Sequence, residues 1–300
     1  MGDARPALDV ALPARSFALP ARLDYLLDDL RPVAIEPRDE TPPRTGLVVR
    51  RVHFEAHGDR DAAVRAITRS LGPDGVIVRE VDVPDEDWAA RSQAGLRAIR
   101  VGRVVVAPPW DLPRNEETVG AVVAVIEPST GFGTGHHAST RLCLRALQAC
   151  LDAAAPPRDV LDLGTGSGVL AIAAHKLGAA PVLAIDRDAD ALANAGDNLA
   201  RNAAGHSVSL RRDDVVRLAA PAAAIVTANL SGAVLIRHAV RITRHVRPSG
   251  WLVAGGVTAA EEEQVRVALG AALTPVARET EDGWVALTLR RAPAPQESAP

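Results

Sequence analysis

Three short stretches of the chain carry residue types that could do chemistry. The first is Asp162-Leu-Gly164-Thr-Gly166-Ser-Gly168, which joins a strand-like run to a helix-like one. Glycines there allow positive φ and let a ligand approach the backbone closely. In an alternating strand–helix fold that ligand lies outside the carboxyl ends of the strands. The spacing is G-x-G-x-G, and Val169 stands where a dinucleotide fingerprint needs its third glycine or alanine. Asp162 would sit badly beside a pyrophosphate. It suits a cofactor with a cationic end, such as the amino group and sulfonium of S-adenosylmethionine. Asp186 ends the next strand in "LAIDRD", where an acid can accept both ribose hydroxyls. Its other reading is a helix N-cap, for which Asp188 is better placed. Asn229 ends the fourth strand in "TANL". Its amide offers two donors and an acceptor, so it could hold an incoming amine by a hydrogen while the nitrogen lone pair faces a methyl group. Its other reading is a turn or cap residue.

The stretch "GFGTGHHAST", residues 131–140, invites three readings. It lacks the Gly-Lys-Ser/Thr ending of a phosphate loop. A metal site needs three or four ligands in set geometry. His136 and His137 supply two, and His175 and His206 lie on other elements, so no metal is expected. The third reading makes the stretch the near wall of a cofactor pocket, folded back in front of Gly164. Thr140 would offer a hydroxyl, Gly133 would pass close, and Phe132 would close over the ligand. His137 is a candidate base near an amine. The plainer expectation is one histidine hydrogen-bonded inside the loop and one exposed.

The elements that must position these residues follow from hydrophobic periodicity. Before residue 85 the order is strand ("ALDVALP"), helix ("LPARLDYLLDDL"), strand ("PVAIEP"), strand ("TGLVVRRVHFEA"), helix ("DRDAAVRAITRSLG") and strand ("GVIVREVDV"). This β-α-β-β-α-β order is ferredoxin-like. A disordered leader is the alternative for residues 1–45. "DEDWAARSQAGL" reads as a linker helix, and "RAIRVGRVVVAPPW" and "GAVVAVIEP" as strands. A helix then starts at Thr140. From Val160, strands and helices alternate, with "PSG" (248–250) a turn before the strand "WLVAGGV", and the chain closes in a hairpin. Alternation of this kind implies a doubly wound, mostly parallel sheet. The expected fold is α/β: seven strands with a C-terminal antiparallel hairpin, plus a small N-terminal α+β domain. The expected division is 1–84 for substrate recognition, 85–98 for the linker helix, 99–291 for the catalytic domain and 292–300 for a disordered tail.

Composition excludes several classes. The chain has 300 residues, is 47% apolar and carries a formal net charge of −3. That balance lacks the basic footprint of a nucleic-acid binder, so no direct nucleic-acid contact is expected. No apolar run approaches the roughly 20 residues a bilayer span requires, so no membrane association and a cytoplasmic location are expected. Cys143 and Cys150 are seven residues apart in a helical pattern. Their Cα atoms would lie about 10 Å apart, too far for a disulfide. Glu261-Glu262-Glu263 suits the first turn of a helix.

The segments "GFGTGHHASTRLCLRAL", "VLDLGTGSGVLAIAAHKLGA", "AIDRDADALANAGDNLARN" and "VTANL", in that order, resemble the PrmA family. These are bacterial methyltransferases of the eleventh large-subunit ribosomal protein. "DEDWAARSQAGLRAIRVGRVVVAPPW" and "EDGWVALTLRR" resemble the family's linker with entry strand and its last hairpin strand. The similarity runs from about Asp85 to Arg291, and residues 1–84 agree only in element order. The resemblance implies S-adenosylmethionine as cofactor and methylation of lysine ε-amines and an N-terminal amine of a ribosomal protein. It implies that the N-terminal domain chooses the substrate. Separately, a monomer is expected. Carried over by position, the cofactor contacts fall on Thr140, Gly164, Asp186 and Asn229. Asp162, Gly166 and Gly168 complete the expected cofactor set, and Asn229 is the expected catalytic residue. The alternatives are a related methyltransferase acting on another protein or a small molecule, a nicotinamide-dependent oxidoreductase, and a non-catalytic binding module.

Overall fold

A computed structural model of the chain describes residues 4–16, 19–28, 30, 32, 34–38, 46–84, 96–127, 136–215 and 217–294. Residues 85–95 of the expected linker helix, Phe132 and Gly133, and 295–300 of the expected tail lie outside the described residues. The chain divides into two compact units, Met1–Ala94 and Gly95–Pro300.

In the first unit the elements are β1 (Ala4–Pro13), α1 (Leu19–Asp28), β2 (Ala34–Arg38), β3 (Leu47–His53), α2 (His57–Leu71) and β4 (Ile77–Pro84). The sheet order is β2-β3-β1-β4, with every pairing antiparallel. Alternation along β1 sends Leu8, Val10 and Leu12 into one core with Leu23 and Leu27 of α1 and Ile67 and Leu71 of α2. Asp9 and Arg51 are direct cross-strand partners. The carboxylate accepts two hydrogen bonds from that guanidinium, each 2.7 Å. Residues 4–38 thus hold strand, helix and strand where a disordered leader was the alternative.

The second unit begins with a three-stranded sheet of β5 (Ile99–Val101), β6 (Val104–Ala107) and β7 (Val122–Val125). β5 and β6 pair antiparallel and β6 and β7 parallel. There follow α3 (Ala138–Ala153), β8 (Val160–Leu163), α4 (Val169–Lys176), β9 (Val182–Asp186), α5 (Ala189–Arg201), β10 (Val208–Arg212), β11 (Ala223–Asn229), α6 (Gly232–Arg244), β12 (Val246–Thr258), α7 (Glu262–Gly270), β13 (Thr274–Glu281) and β14 (Trp284–Arg290). The seven-stranded sheet runs β10-β9-β8-β11-β12-β14-β13. Its first five strands are parallel, and β14 is antiparallel to both neighbours. The expected turn at 248–250 instead lies within β12, with Ser249 at φ 61°.

Each face of this sheet has its own core. Leu144 and Leu147 of α3, Ile172 of α4 and Leu199 of α5 pack with Ile225 and Val253 on one side. Leu235 and Ile242 of α6 and Leu269 of α7 pack with Val226 and Leu252 on the other. After β8 the chain adds β9 on one side and later β11 on the opposite side. The carboxyl edge between β8 and β11 is therefore the topological switch point, where such sheets open a ligand crevice.

The terminal hairpin fixes the helix that enters this crevice. Arg141 and Arg145, one turn apart on α3, face the acids of the hairpin. Arg145 pairs with Glu279 at 3.0 Å and also with Glu281, while Arg141 pairs with Glu281 and reaches Asp282 at 3.2 Å. The hydrogen bond from Arg145, joined by one from Arg141, holds the Glu281 carboxyl below its ordinary value. A depressed acid contributes stability above its unfolded value, here 4.5, and loses it as pH falls through the folded one. Glu281→Gln is expected to cost about 1 kcal/mol or less at neutral pH. Urea titrations at several pH values should show that difference closing as the medium is acidified. A difference that grows with acid would contradict the assignment.

Candidate functional site

Asp162 ends near the tip of β8 and is 1% exposed. Its Oδ1 accepts a 2.5 Å hydrogen bond from Thr227 Oγ1 on β11, and its Oδ2 a 2.7 Å bond from Thr165 Oγ1 in the turn. Burial pushes its carboxyl above the ordinary value, with the nearby Asp186 charge adding to the rise. The two hydroxyls and the Ala171 backbone oppose it. Both oxygens are thus engaged in joining β8, β11 and the glycine turn. The side chain holds the turn in shape.

Gly164, Gly166 and Gly168 all have positive φ, at 69°, 54° and 81°. At Gly164 a Cβ would also lie 2.4 Å from Leu230 Cδ2, so the tip of that side chain would have to move. Gly168 is the N-cap of α4. Val169, buried and opening α4, fills the position of a dinucleotide fingerprint's third glycine.

Asp186 stands at the carboxyl end of β9. Its Oδ2 accepts from the Gly166 N–H and its Oδ1 from the Asp188 N–H, each at 3.0 Å. It therefore grips the glycine turn from the neighbouring strand. Asp188 caps α5 by accepting from the Asp190 N–H at 3.0 Å, which settles the choice between the two acids.

Asn229 closes the constellation from β11. Its Nδ2 points at Thr140 Oγ1, 3.4 Å away, and Thr140 is 2% exposed at the start of α3. Its Oδ1 is buried and has no hydrogen-bond partner among the described residues. An unmet buried acceptor costs about 1–3 kcal/mol. The bed for this side chain is the Gly255-Gly256 pair of β12. A Cβ on either would come within 3.2 Å of Asn229 Oδ1. At Gly255 it would also lie 2.2 Å from Cys143 Sγ, and at Gly256, with φ 74°, 2.4 Å from the Leu230 carbonyl oxygen. Paired glycines inside "WLVAGGV" signal such a close approach, and sequence reasoning passed over them. Thr165 and Thr227 were missed as well.

The histidines have other work. His137 is the N-cap of α3, its Nδ1 accepting from the Ser139 N–H at 3.4 Å and lying 2.8 Å from Ser139 Oγ. Its ring meets Trp284 edge to face at 4.5 Å. Burial lowers its pKa, and the Arg141 charge adds to the effect. His136 Nε2 lies 2.7 Å from the Arg97 carbonyl oxygen. Both histidines are half-buried, and His137 seats the start of α3. Among the described residues no three His, Cys, Asp or Glu side chains gather as a metal site. Cys143 and Cys150 are buried with free thiols, and burial pushes the Cys150 thiol up to about 12.

The Asp162 assignment has a measurable sign. A carboxyl raised by folding binds its proton more tightly in the native state, so stability falls as pH rises from 3.8 through the folded value. Asp162→Asn is expected to remove this slope, so that the variant gains on the parent as pH rises through that window. Denaturant titrations across pH 3–8 would show it. A parent that gains on the variant over the same range would contradict the burial argument.

Comparison with known proteins bears on this geometry. Residues 38–292 match the family described as Ribosomal protein L11 methyltransferase (PrmA). The protein of that name from Symbiobacterium thermophilum is 39% identical over 207 residues, which span 68% of this chain and 66% of that protein. The one from Rhizobium rhizogenes is 33% identical over 271 residues, 88% of this chain and 90% of that protein. The crystal structure of a ribosomal protein L11 methylase from Lactobacillus delbrueckii subsp. bulgaricus aligns at a TM-score of 0.60 and 24% identity. That alignment covers 66% of this chain and all of the other, and it supports the fold. No described helix is long and apolar enough to cross a membrane. With the family match running across the glycine turn, Asp186 and Asn229, this chain belongs to the ribosomal protein L11 methyltransferase (PrmA) family.

Proposed function

We propose that this chain transfers methyl groups from S-adenosylmethionine to amines of a ribosomal protein. The substrate is ribosomal protein L11, the protein in its relatives' name, modified at lysine ε-amines and the N-terminal amine. The Met1–Ala94 unit selects that substrate and the Gly95–Pro300 unit carries the chemistry. On this reading the enzyme works in the cytoplasm as a monomer and touches no nucleic acid, in keeping with its net charge of −3. The family's cofactor is S-adenosylmethionine.

The observation that carries the proposal is the convergence of Asp186, the glycine turn, Thr140 and Asn229 on one carboxyl edge. The donor set fits the cofactor. Asp186 is an acceptor for ribose hydroxyls, the positive-φ glycines leave the backbone open, and Asn229 keeps an unmet buried acceptor. When bound, S-adenosylmethionine supplies a methyl group activated by its sulfonium, so the protein needs no covalent nucleophile. What the chain must supply is orientation, which can contribute several kcal/mol, up to about 10.

A lysine amine has a free pKa of about 10.4 and arrives charged. Removal from water beside a cationic centre favours its neutral form. Asn229 can accept an N–H from that amine at Oδ1, leaving the lone pair free to face the methyl group. The Thr140 hydroxyl steadies the carboxamide from the other side, and Gly255 and Gly256 let β12 pack close against it.

Two substitutions separate the roles. Asp186→Ala is expected to weaken S-adenosylhomocysteine binding by about 10–150-fold, the range for losing a hydrogen bond to a charged group. Asn229→Ala is expected to lower single-turnover methylation by about 100-fold, the scale of a misplaced reactant, with a smaller change in affinity. Calorimetry and rapid-quench assays read the two effects. If both variants bind and transfer like the parent, the site is elsewhere. For the substrate, tritiated cofactor offered to ribosomal proteins should label L11, with mass mapping placing the methyls on amines. Label on a small molecule alone would overturn the ribosomal reading.

A further inference from the structure

Outside the constellation above, two buried and well-connected polar side chains of the second unit are Asn198 and Asn202, one turn apart on the last turn and C-cap of α5. Asn198 is fully buried and Asn202 is 9% exposed. Buried carboxamides survive in a core only where their donors and acceptors are met, and these are met by main chain. Asn202 accepts from the Val125 N–H at 2.9 Å and donates to the Val125 carbonyl at 2.6 Å. Its carboxamide thus stands in for a neighbouring strand along the edge of β7 not paired with β6.

Asn198 does something different. Its Oδ1 accepts from the Glu127 N–H at 2.8 Å, two residues past β7, while its Nδ2 donates to the Ser167 carbonyl at 3.0 Å. A second donor contact, to Asn194 Oδ1 at 3.2 Å, orients the amide. Ser167 lies between Gly166 and Gly168, and the Gly166 N–H is already held by Asp186. The glycine turn is therefore gripped twice from the β9–α5 segment: by Asp186 at Gly166, its middle residue, and by Asn198 one residue later at Ser167. All three glycines of the turn have positive φ. Such residues have the most freedom to lose on folding, so the turn gains its shape from contacts like these.

From this geometry we infer that Asn198 is a positioning residue of the cofactor site. It fixes the Ser167 peptide of the glycine turn and ties that turn to the backbone leaving β7. Asn202 serves the β7 edge and donates to the Asn198 carbonyl at 2.8 Å, with no hydrogen bond to the glycine turn among the described residues. The inference rests on the cofactor reading above, since the turn is the proposed cradle for S-adenosylmethionine.

The test uses the full chain and S-adenosylhomocysteine as probe, with Asn202→Ala as the comparison. Asn198→Asp keeps the acceptor for the Glu127 N–H and loses the donor to Ser167. Its dissociation constant should rise tenfold or more over the parent. Asn202→Ala should bind within about threefold of the parent at a comparable loss in unfolding midpoint. Without ligand, amide hydrogen exchange at residues 166–168 should quicken in Asn198→Asp and stay near the parental rate in Asn202→Ala. Unchanged affinity and exchange in Asn198→Asp, or an equal loss of affinity in Asn202→Ala, would overturn the inference. The parent chain offers an arm that needs no variant. On adding the probe, the side-chain amide resonances of Asn198 should shift and those of Asn202 should not, and an unmoved Asn198 overturns the inference. A parent that binds no S-adenosylhomocysteine, yet keeps slow exchange at 166–168, would instead refute the cofactor reading.

Discussion

The structure turns on one buried carboxyl. Asp162, at the end of the central strand β8, receives hydroxyl hydrogen bonds from Thr227 on β11 and from Thr165 in the glycine turn. A buried acid is costly unless its oxygens are met. Meeting them here joins the two strands that flank the switch point and sets the start of the turn. Everything proposed for the site hangs from that junction. The turn is where Asp186 and Asn198 attach, and β11 delivers Asn229 two residues beyond Thr227. The raised carboxyl is the electrostatic sign of its burial.

Around this junction the elements divide the labour by stiffness. The sheet and its two cores set the positions of strand ends to within the tolerance of close packing. Side chains on those ends then face one another across the edge. Glycines appear where backbone and side chain must come nearer than a Cβ permits: Gly164 against Leu230, and Gly255 and Gly256 against Asn229, Cys143 and Leu230. The hairpin supplies the last constraint, because its acids hold α3 and thereby Thr140 beside Asn229. Trp284 adds an edge-to-face contact to the His137 cap of the same helix.

Much of this was legible in the sequence because it is written locally. Alternating runs such as "PVLAID" and "DADALANAGDNLARN" announce strand and helix by period. The choice of Asp188 over Asp186 as cap follows from position relative to the helix start, and the structure agrees. The β-α-β-β-α-β order of the first unit could be read even through a proline-rich opening. What escaped was written across distance. Asn198 meets Glu127 from 71 residues away and Ser167 from 31, and nothing in the local pattern of "DNLARN" marks its two asparagines as buried. Gly255 and Gly256 look like a weak spot in a strand until Asn229 is placed against them. Asp162 stood out in the glycine motif, but its two threonine partners did not, one of them 65 residues away. The turn expected at 248–250 falls within the span of β12, in the irregular stretch between Val246 and Trp251 where β11 offers no partner, and its backbone bonds run to Arg291 and Ala292 just past β14.

The central claim is that the carboxyl edge of β8, β9 and β11 holds the methyl donor, with Asp186 on its ribose and Asn229 beside the reacting centre. The most direct measurement is a crystal structure of the full chain with S-adenosylhomocysteine. The account predicts density along the Gly164–Gly168 turn, with both ribose hydroxyls donating to Asp186 and the sulfur end directed toward Asn229. Ligand density at another edge of the sheet, or a ribose turned away from Asp186, would contradict it.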